Sequence, residues 1–210
     1  MNSKDERNTG LSLMISSVLI VTTMVLHPVG GDFDHLLQIA TIGMIAHSIG
    51  ILSIPFAAYG YWGIMNRLDE VSFLSRIAFS FMLFGLVAVM IAATLNGLVI
   101  TQLAQSYAGA SEETIASLKP IFRYSHAFNL ANDYIYMTAV AISTLCWSIA
   151  MLMTKKFAAW LAYLGIGLVL VAVSSVFLGY IFTTVTGFSI FIFGSAVWTI
   201  GMGWSLWRSS

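Results

Sequence analysis

The sequence predicts an all-α, polytopic integral membrane protein, a bundle of six transmembrane helices that forms a single membrane domain over residues 1–210. Apolar residues make up 59% of the chain and charged residues only 9%, whereas soluble domains average about half and about a quarter. Several apolar segments are long enough to cross the ~30 Å hydrocarbon layer as helices. Long apolar runs with few breakers favour helices over barrel strands, which are shorter and alternate.

The first predicted helix follows a short charged segment. A signal peptide would have a net basic start, but here Asp5 and Glu6 neutralise Lys4 and Arg7, and the apolar run that follows is long for a signal core. We therefore interpret it as a retained helix. The apolar segments place the six helices at residues 11–26, 37–65, 77–103, 120–153, 157–182 and 188–207.

Two of these segments carry local signals. Pro55 lies inside the second and predicts a kink. Before the fourth, Ser111 followed by Glu112 and Glu113 is typical of a helix start, because a hydroxyl can cap free amides and carboxylates favour the positive end of the helix dipole. Pro120 suits the first turn of the fourth helix itself.

The basic residues predict the orientation, since short cytoplasmic loops carry the excess of Lys and Arg. Seven fall at alternate ends of the predicted helices: Lys4, Arg7, Arg67, Arg76, Lys155, Lys156 and Arg208. Only Lys119 and Arg123 fall on the other side. Both termini are therefore predicted to be cytoplasmic. Aromatic residues beside the basic ends predict an interfacial belt, formed by Tyr59, Tyr61, Trp62, Trp160, Tyr163, Trp204 and Trp207.

Composition excludes some classes of function. Nine Lys and Arg balance nine Asp and Glu, so nothing indicates a nucleic-acid partner. The single cysteine, Cys146, excludes an intrachain disulfide and a Cys-rich metal site. Established enzyme motifs are absent, which disfavours an enzyme without excluding one. The expected partners are the lipid bilayer, a small ligand or ion, and a membrane-protein partner or a second copy of the chain.

Polar residues inside the predicted helices indicate a ligand-binding pocket in the outer leaflet. Ionisable groups in a spanning helix cost ~2.5–3.5 kcal/mol on insertion scales, so each is a functional candidate. His126, Asn129 and Asp133 are spaced to share one stripe of a helix. Counting along the helices places His47, Asn96 and Asp133 at one level, about 30 Å from the cytoplasmic basic residues. The alternative is a direct His47–Asp133 pair that only locks the bundle.

The first outer loop offers metal ligands. His27, Asp32 and His35 bring imidazoles and a carboxylate together around a Gly pair, and these donors suit zinc, copper or another divalent ion. The alternative is a solvated loop in which Asp32 or Asp34 caps the second helix. Haem is a further hypothesis, with His47 and His126 as axial ligands. The sequence assigns no particular cofactor.

Short segments along most of the chain carry a resemblance. They are Leu26-His27-Pro28 with Gly30-Gly31-Asp32, His47-Ser48-Ile49-Gly50 leading to Pro55-Phe56, Ala93-Thr94-Leu95-Asn96-Gly97, and Ala196-Val197-Trp198 with Gly201 and Gly203. Through them the sequence resembles a group of small six-helix bacterial inner-membrane proteins of unknown function. The resemblance implies a bacterial inner-membrane location and assigns no activity to any residue.

Three classes of function follow as expectations. The first is a small-ligand or ion binding or transport protein that uses the pocket of His47, Asn96, His126, Asn129 and Asp133. The second is a structural or accessory subunit of a larger membrane complex. The third is a metal-binding or haem-binding membrane redox protein.

Overall fold

The computed structural model describes residues 2–28 and 32–208, and these residues form helices and turns without a strand. Six helical spans among them are long and apolar enough to cross a membrane. The predicted class, an all-α bundle of six membrane-spanning helices, is therefore confirmed.

The six spans are built from seven α-helices. The third span is compound: it starts with a 3₁₀ turn, Asp69–Val71, and continues from α3 through a π-helical segment, Ala93–Val99, into α4. The helices are α1 (Ser3–Leu26), α2 (Phe33–Arg67), α3 (Ser72–Ala92), α4 (Ile100–Ser106), α5 (Glu112–Thr154), α6 (Ala159–Phe177) and α7 (Val185–Arg208).

Helix α1 begins earlier than the predicted residue 11. The side chain of Asn2 accepts a hydrogen bond from the backbone N–H of Asp5 at 2.8 Å and so caps the helix. The charged residues before the apolar run therefore belong to α1, where the two carboxylates favour the positive end of the helix dipole.

Helix α5 joins two predicted features into one element. Ser111 caps it, as predicted, by accepting from the backbone N–H of Thr114 at 3.3 Å. The same helix then continues through the predicted fourth span, so Pro120 lies inside it and not in its first turn. Helix α6, in contrast, ends at Phe177, before the predicted end at residue 182.

The helices pack in chain order as a closed ring. Helix α1 contacts α2 and α7, α3 contacts α2 and α5, and α6 contacts α5 and α7. Six spans place the first and last described residues at the same end of the bundle, called here the terminal end, which also holds residues 68–71 and 155–158. The opposite end, called the distal end, holds His27 and residues 107–111.

The contact between α1 and α7 depends on two glycines. A Cβ atom added at Gly10 would lie 2.5 Å from the carbonyl oxygen of Gly203, and one added at Gly203 would lie 2.7 Å from the carbonyl oxygen of Gly10. The two backbones therefore touch where neither residue has a side chain, which is the small-residue packing typical of membrane helices.

Aromatic side chains fill the bundle toward the terminal end. Trp147 is fully buried, and its Nε1 donates to Ser75 Oγ at 3.2 Å. The ring of Tyr61 stacks on Trp147 at 5.4 Å, and the Tyr61 hydroxyl lies 3.1 Å from Thr199 Oγ1. Placing Tyr61 in an interfacial belt was therefore wrong, because this ring faces the core. Five other residues of the predicted belt are exposed on the surface of the bundle, namely Tyr59, Trp62, Trp160, Tyr163 and Trp204.

An ion pair joins three parts of the chain at the terminal end. Arg67, at the end of α2, contacts the carboxylate of Glu6 in α1 at 2.6 Å, and both side chains are less than one-fifth exposed. Arg67 also donates to the backbone carbonyl of Lys156 at 3.3 Å. Because Lys156 lies between α5 and α6, this one guanidinium connects α1, α2 and the turn before α6.

Candidate ligand-binding cavity

A cavity of about 430 Å³ lies inside the ring of helices. Helices α1, α2, α3, α5 and α7 line it together with the π segment and the start of α4. Much of its wall is apolar, with Ile20, Met24, Ile54, Met82, Leu86 and Ile192 among its residues. The stacked pair of Tyr61 and Trp147 lies at its terminal side, because Tyr61 lines the cavity and Trp147 packs behind it.

The structure brings the five predicted ligand-binding residues to this one cavity. His47 comes from α2, Asn96 from the π segment, and His126, Asn129 and Asp133 from α5. The helical spacing of the three α5 residues explains their shared face. The convergence of three separate spans is a result of the tertiary structure. Their role in binding a ligand stays a prediction.

Asp133 is the most buried of the five. The residue is only 8% exposed, and its Oδ2 accepts a hydrogen bond from Asn129 Nδ2 at 2.8 Å, one helical turn away. Asn132, the residue before it, is equally buried but bonds to the backbone carbonyl of Phe128 and does not line the cavity. Asp133 is thus directed into the cavity with an amide as its partner.

Three contacts hold His47 in place. Its Nδ1 donates to the backbone carbonyl of Gly43 at 2.7 Å, which leaves Nε2 as the acceptor in the neutral ring. The ring of His27 lies 4.9 Å away, between centroids. Behind His47, a side chain at Gly97 would overlap the imidazole, so this glycine allows the π segment to approach α2.

The predicted direct pair between His47 and Asp133 is wrong. Within residues 2–28 and 32–208, no ion pair joins these two side chains. His47 uses Nδ1 for the Gly43 carbonyl, and Asp133 bonds to Asn129. The reason is that each side chain makes its hydrogen bond within its own helix and none with the other. The two residues are components of one cavity wall and not a lock between helices.

The proposed metal ligands of the first loop do not assemble. His27 lines the cavity, and its Nδ1 donates to the backbone carbonyl of Pro28 at 3.0 Å. The carboxylate of Asp32 instead accepts from the backbone N–H of His35 at 2.9 Å and caps α2. Among the described residues, no group of three or more His, Cys, Asp or Glu is placed to hold a metal ion. The Gly pair between them lies outside the described residues.

His27 lies in the loop between two spans, and its surroundings change its charge state. Burial lowers the pKa of His27 below its ordinary value of 6.5, and the hydrogen bond to the Pro28 carbonyl offsets this only in part. The neutral ring is therefore favoured beside the ring of His47. The pairing of His47 with His126 as haem ligands stays a prediction.

The π segment was not predicted from the sequence. Segments of this kind insert an extra residue into a helix and recur at functional sites. Here Asn96 lines the cavity and Gly97 packs against His47. The available signal was the Asn-Gly dipeptide inside an otherwise apolar run, since both residues are poor helix formers. Thr101 and Thr199, two buried polar residues that line the cavity, were also not predicted from the sequence.

The fold and the cavity define a class: a multi-pass helical membrane protein with an internal, partly polar cavity. No protein-family model, curated protein or solved structure matches the chain.

Proposed function

We propose that this chain is a multi-pass protein of the bacterial inner membrane that binds a small ligand in the central cavity and transports it, with both termini in the cytoplasm. The observation that carries the proposal is the convergence of His47, Asn96 and Asp133, from three spans, on a single cavity. Its volume of about 430 Å³ is within the ~300–1,000 Å³ of small-molecule sites.

The cavity wall indicates a ligand with two parts. Polar side chains from α2, α5 and the π segment can hydrogen-bond a polar group, whereas apolar side chains of α1 and α3 can enclose an apolar body. Burying the apolar part contributes about 25 cal/mol per Å². The few polar groups then set the orientation of the ligand and its specificity.

Transport is supported by the kind of contact found at the terminal end of the bundle. Side chains of different helices meet there in the ring stack of Tyr61 on Trp147 and in the ion pair of Arg67 with Glu6. Alternating access requires that such contacts open at one end while the other end closes. Side-chain contacts can exchange without breaking a helix, so this end can serve as a gate.

A cavity-filling variant tests the binding function. Ala93 is partly buried at the start of the π segment and lines the cavity, whereas Ala131 is exposed on α5 and does not line it. Purified wild type is screened by thermal unfolding against a panel of small amphipathic molecules. A compound that binds the folded state should raise the free energy of unfolding by about 2.7 kcal/mol at a concentration one hundred times its Kd. Compounds found in this way should stabilise Ala131→Trp and not Ala93→Trp. Equal stabilisation of the two variants would contradict binding in the cavity.

The orientation is tested with single cysteines in a Cys146→Ser background. Ser111 is exposed at the distal end, and Ala158 is exposed at the terminal end. A membrane-impermeant thiol reagent added to intact cells should label Ser111→Cys and should label Ala158→Cys only after the membrane is opened. Labelling of Ala158→Cys alone in intact cells would reverse the orientation.

A further inference from the structure

The carboxylate of Asp133 faces the cavity without a cationic partner. Oδ2 accepts from Asn129, and no described residue donates a hydrogen bond to Oδ1. No Lys or Arg is among the described residues that line the cavity, and Asp133 is the one carboxylate that does. A carboxylate in a spanning helix is costly unless a cation or a proton accompanies it.

Other ionisable groups of the cavity do not fill this role. They are His27, His47, His126, Tyr61 and Tyr136. His27 and His47 each direct Nδ1 to a backbone carbonyl, and Tyr61 lies against Thr199. None of the five has a hydrogen bond or an ion pair with Asp133 among residues 2–28 and 32–208. The position beside Oδ1 is therefore left for a ligand.

We propose that the ligand is a small organic ammonium ion, a protonated amine that carries an apolar group. This inference rests on the proposed binding function of the cavity. The ammonium group donates to Asp133, and the apolar group lies along the wall of α1 and α3. Tyr136 and Phe188, whose rings are 6.0 Å apart, line the same cavity. Aromatic faces attract organic cations.

Other ligand classes fit this wall less well. An anion would need Lys or Arg, and none of the described residues that line the cavity is either. A hard metal cation such as Ca²⁺ or Mg²⁺ takes six or more oxygen ligands, but Asp133 is the one carboxylate there and no described group of acidic and imidazole side chains suits a metal. An organic ammonium ion needs one carboxylate and an apolar wall, and both are present.

The test compares two probes of nearly equal shape, 2-phenylethylamine and 2-phenylethanol, at about pH 7, where the amine is protonated. Binding to the purified full chain in detergent is measured by titration calorimetry. We expect the amine to bind wild type at least about tenfold more tightly than the alcohol, since a charge-assisted hydrogen bond supports a difference of that order. The preference should disappear in Asp133→Asn and persist in Asn132→Ala, which changes an equally buried polar residue outside the cavity.

Each outcome decides between the two proposals. Equal affinity of wild type for amine and alcohol, both blocked by Ala93→Trp, would overturn the ammonium inference and leave the binding function standing. Retention of the preference in Asp133→Asn would also overturn it, as would an absence of amine binding. Stabilisation of wild type by sodium chloride and not by choline chloride, lost in Asp133→Asn, would assign the site to an inorganic cation instead. Because the amine and the alcohol are first compared on wild type, equal affinity there overturns the ammonium inference whether or not any variant folds.

Discussion

Gly97→Ala is expected to destabilise the protein, although alanine is the better helix former. Gly97 is buried in the π segment, and a Cβ there would overlap the Cβ, Cγ and Cδ2 atoms of His47. Either the imidazole leaves its position or the π segment moves away from α2. Both changes disturb the cavity wall.

The magnitude follows from three contributions. Overpacking a filled site costs about 1–3 kcal/mol, and loss of the His47–Gly43 hydrogen bond adds about 0.5–1.5 kcal/mol. The better helix propensity of alanine returns about 0.5–1 kcal/mol. The free energy of unfolding should therefore fall by about 0.5–4 kcal/mol. Gly167→Ala in α6 is the control, because nothing lies within 4 Å of a Cβ at that position, and it should be neutral or slightly stabilising.

Both variants are measured by reversible unfolding in mixed detergent micelles, and the ring of His47 is observed by nitrogen NMR on histidine-labelled protein. In Gly97→Ala the signals of this ring should shift, whereas Gly167→Ala should leave them unchanged. If Gly97→Ala were as stable as Gly167→Ala with unchanged His47 signals, the close contact between α2 and the π segment would be refuted.

Two further perturbations address the terminal end and the first loop. Arg67→Gln should lower the free energy of unfolding by about 1–3 kcal/mol, as expected for the loss of a largely buried, charged hydrogen bond to Glu6. The control, Arg76→Gln, breaks the exposed pair with Asp69 (side chains 65% and 61% exposed) and should lower it by at most about 1 kcal/mol. Similar losses for the two variants in unfolding titrations would contradict the structure. Burial lowers the pKa of His27 in the folded protein, so the unfolded chain binds a proton at this imidazole more readily than the folded one. The contribution of the neutral ring to the free energy of unfolding is therefore fully present above pH 6.5 and is lost as the pH falls toward the lowered pKa of the folded state. When thermal unfolding is measured between about pH 8 and about pH 5, the melting temperature should fall less with decreasing pH in His27→Phe than in wild type. An equal fall in the two proteins would refute the burial of this ring.

Features that depend on nearby residues were predictable from the sequence. The six spans follow from apolar runs whose transfer into lipid depends on composition. The cap at Ser111 follows from a hydroxyl and the amide three residues later. The shared face of Asn129 and Asp133 follows from the helical period, and their hydrogen bond was within reach of that spacing. Each of these interactions spans at most a few turns of one helix.

Features that depend on contacts between helices were not predictable. Tyr61 is an aromatic residue close to the basic end of a span, which is typical of an interfacial position, but its ring stacks on Trp147 of α5 inside the core. The π segment forms where Gly97 meets His47, and only the packing of α2 against the third span shows why a glycine is needed there. Because the lipid is itself apolar, the hydrophobic effect does not drive membrane helices together. Their contacts depend instead on close packing and on hydrogen bonds between helices.

The candidate site shows the same division. The sequence by itself determined that His47, Asn96 and Asp133 belong to separate helices, and it predicted similar depths for them because helical rise converts residue number into height. Only the tertiary structure decided that they line one cavity, that Asp133 faces it without a cation, and that His47 turns to its own helix. The rotation of each helix about its axis depends on the shapes of its neighbours, which no single segment encodes.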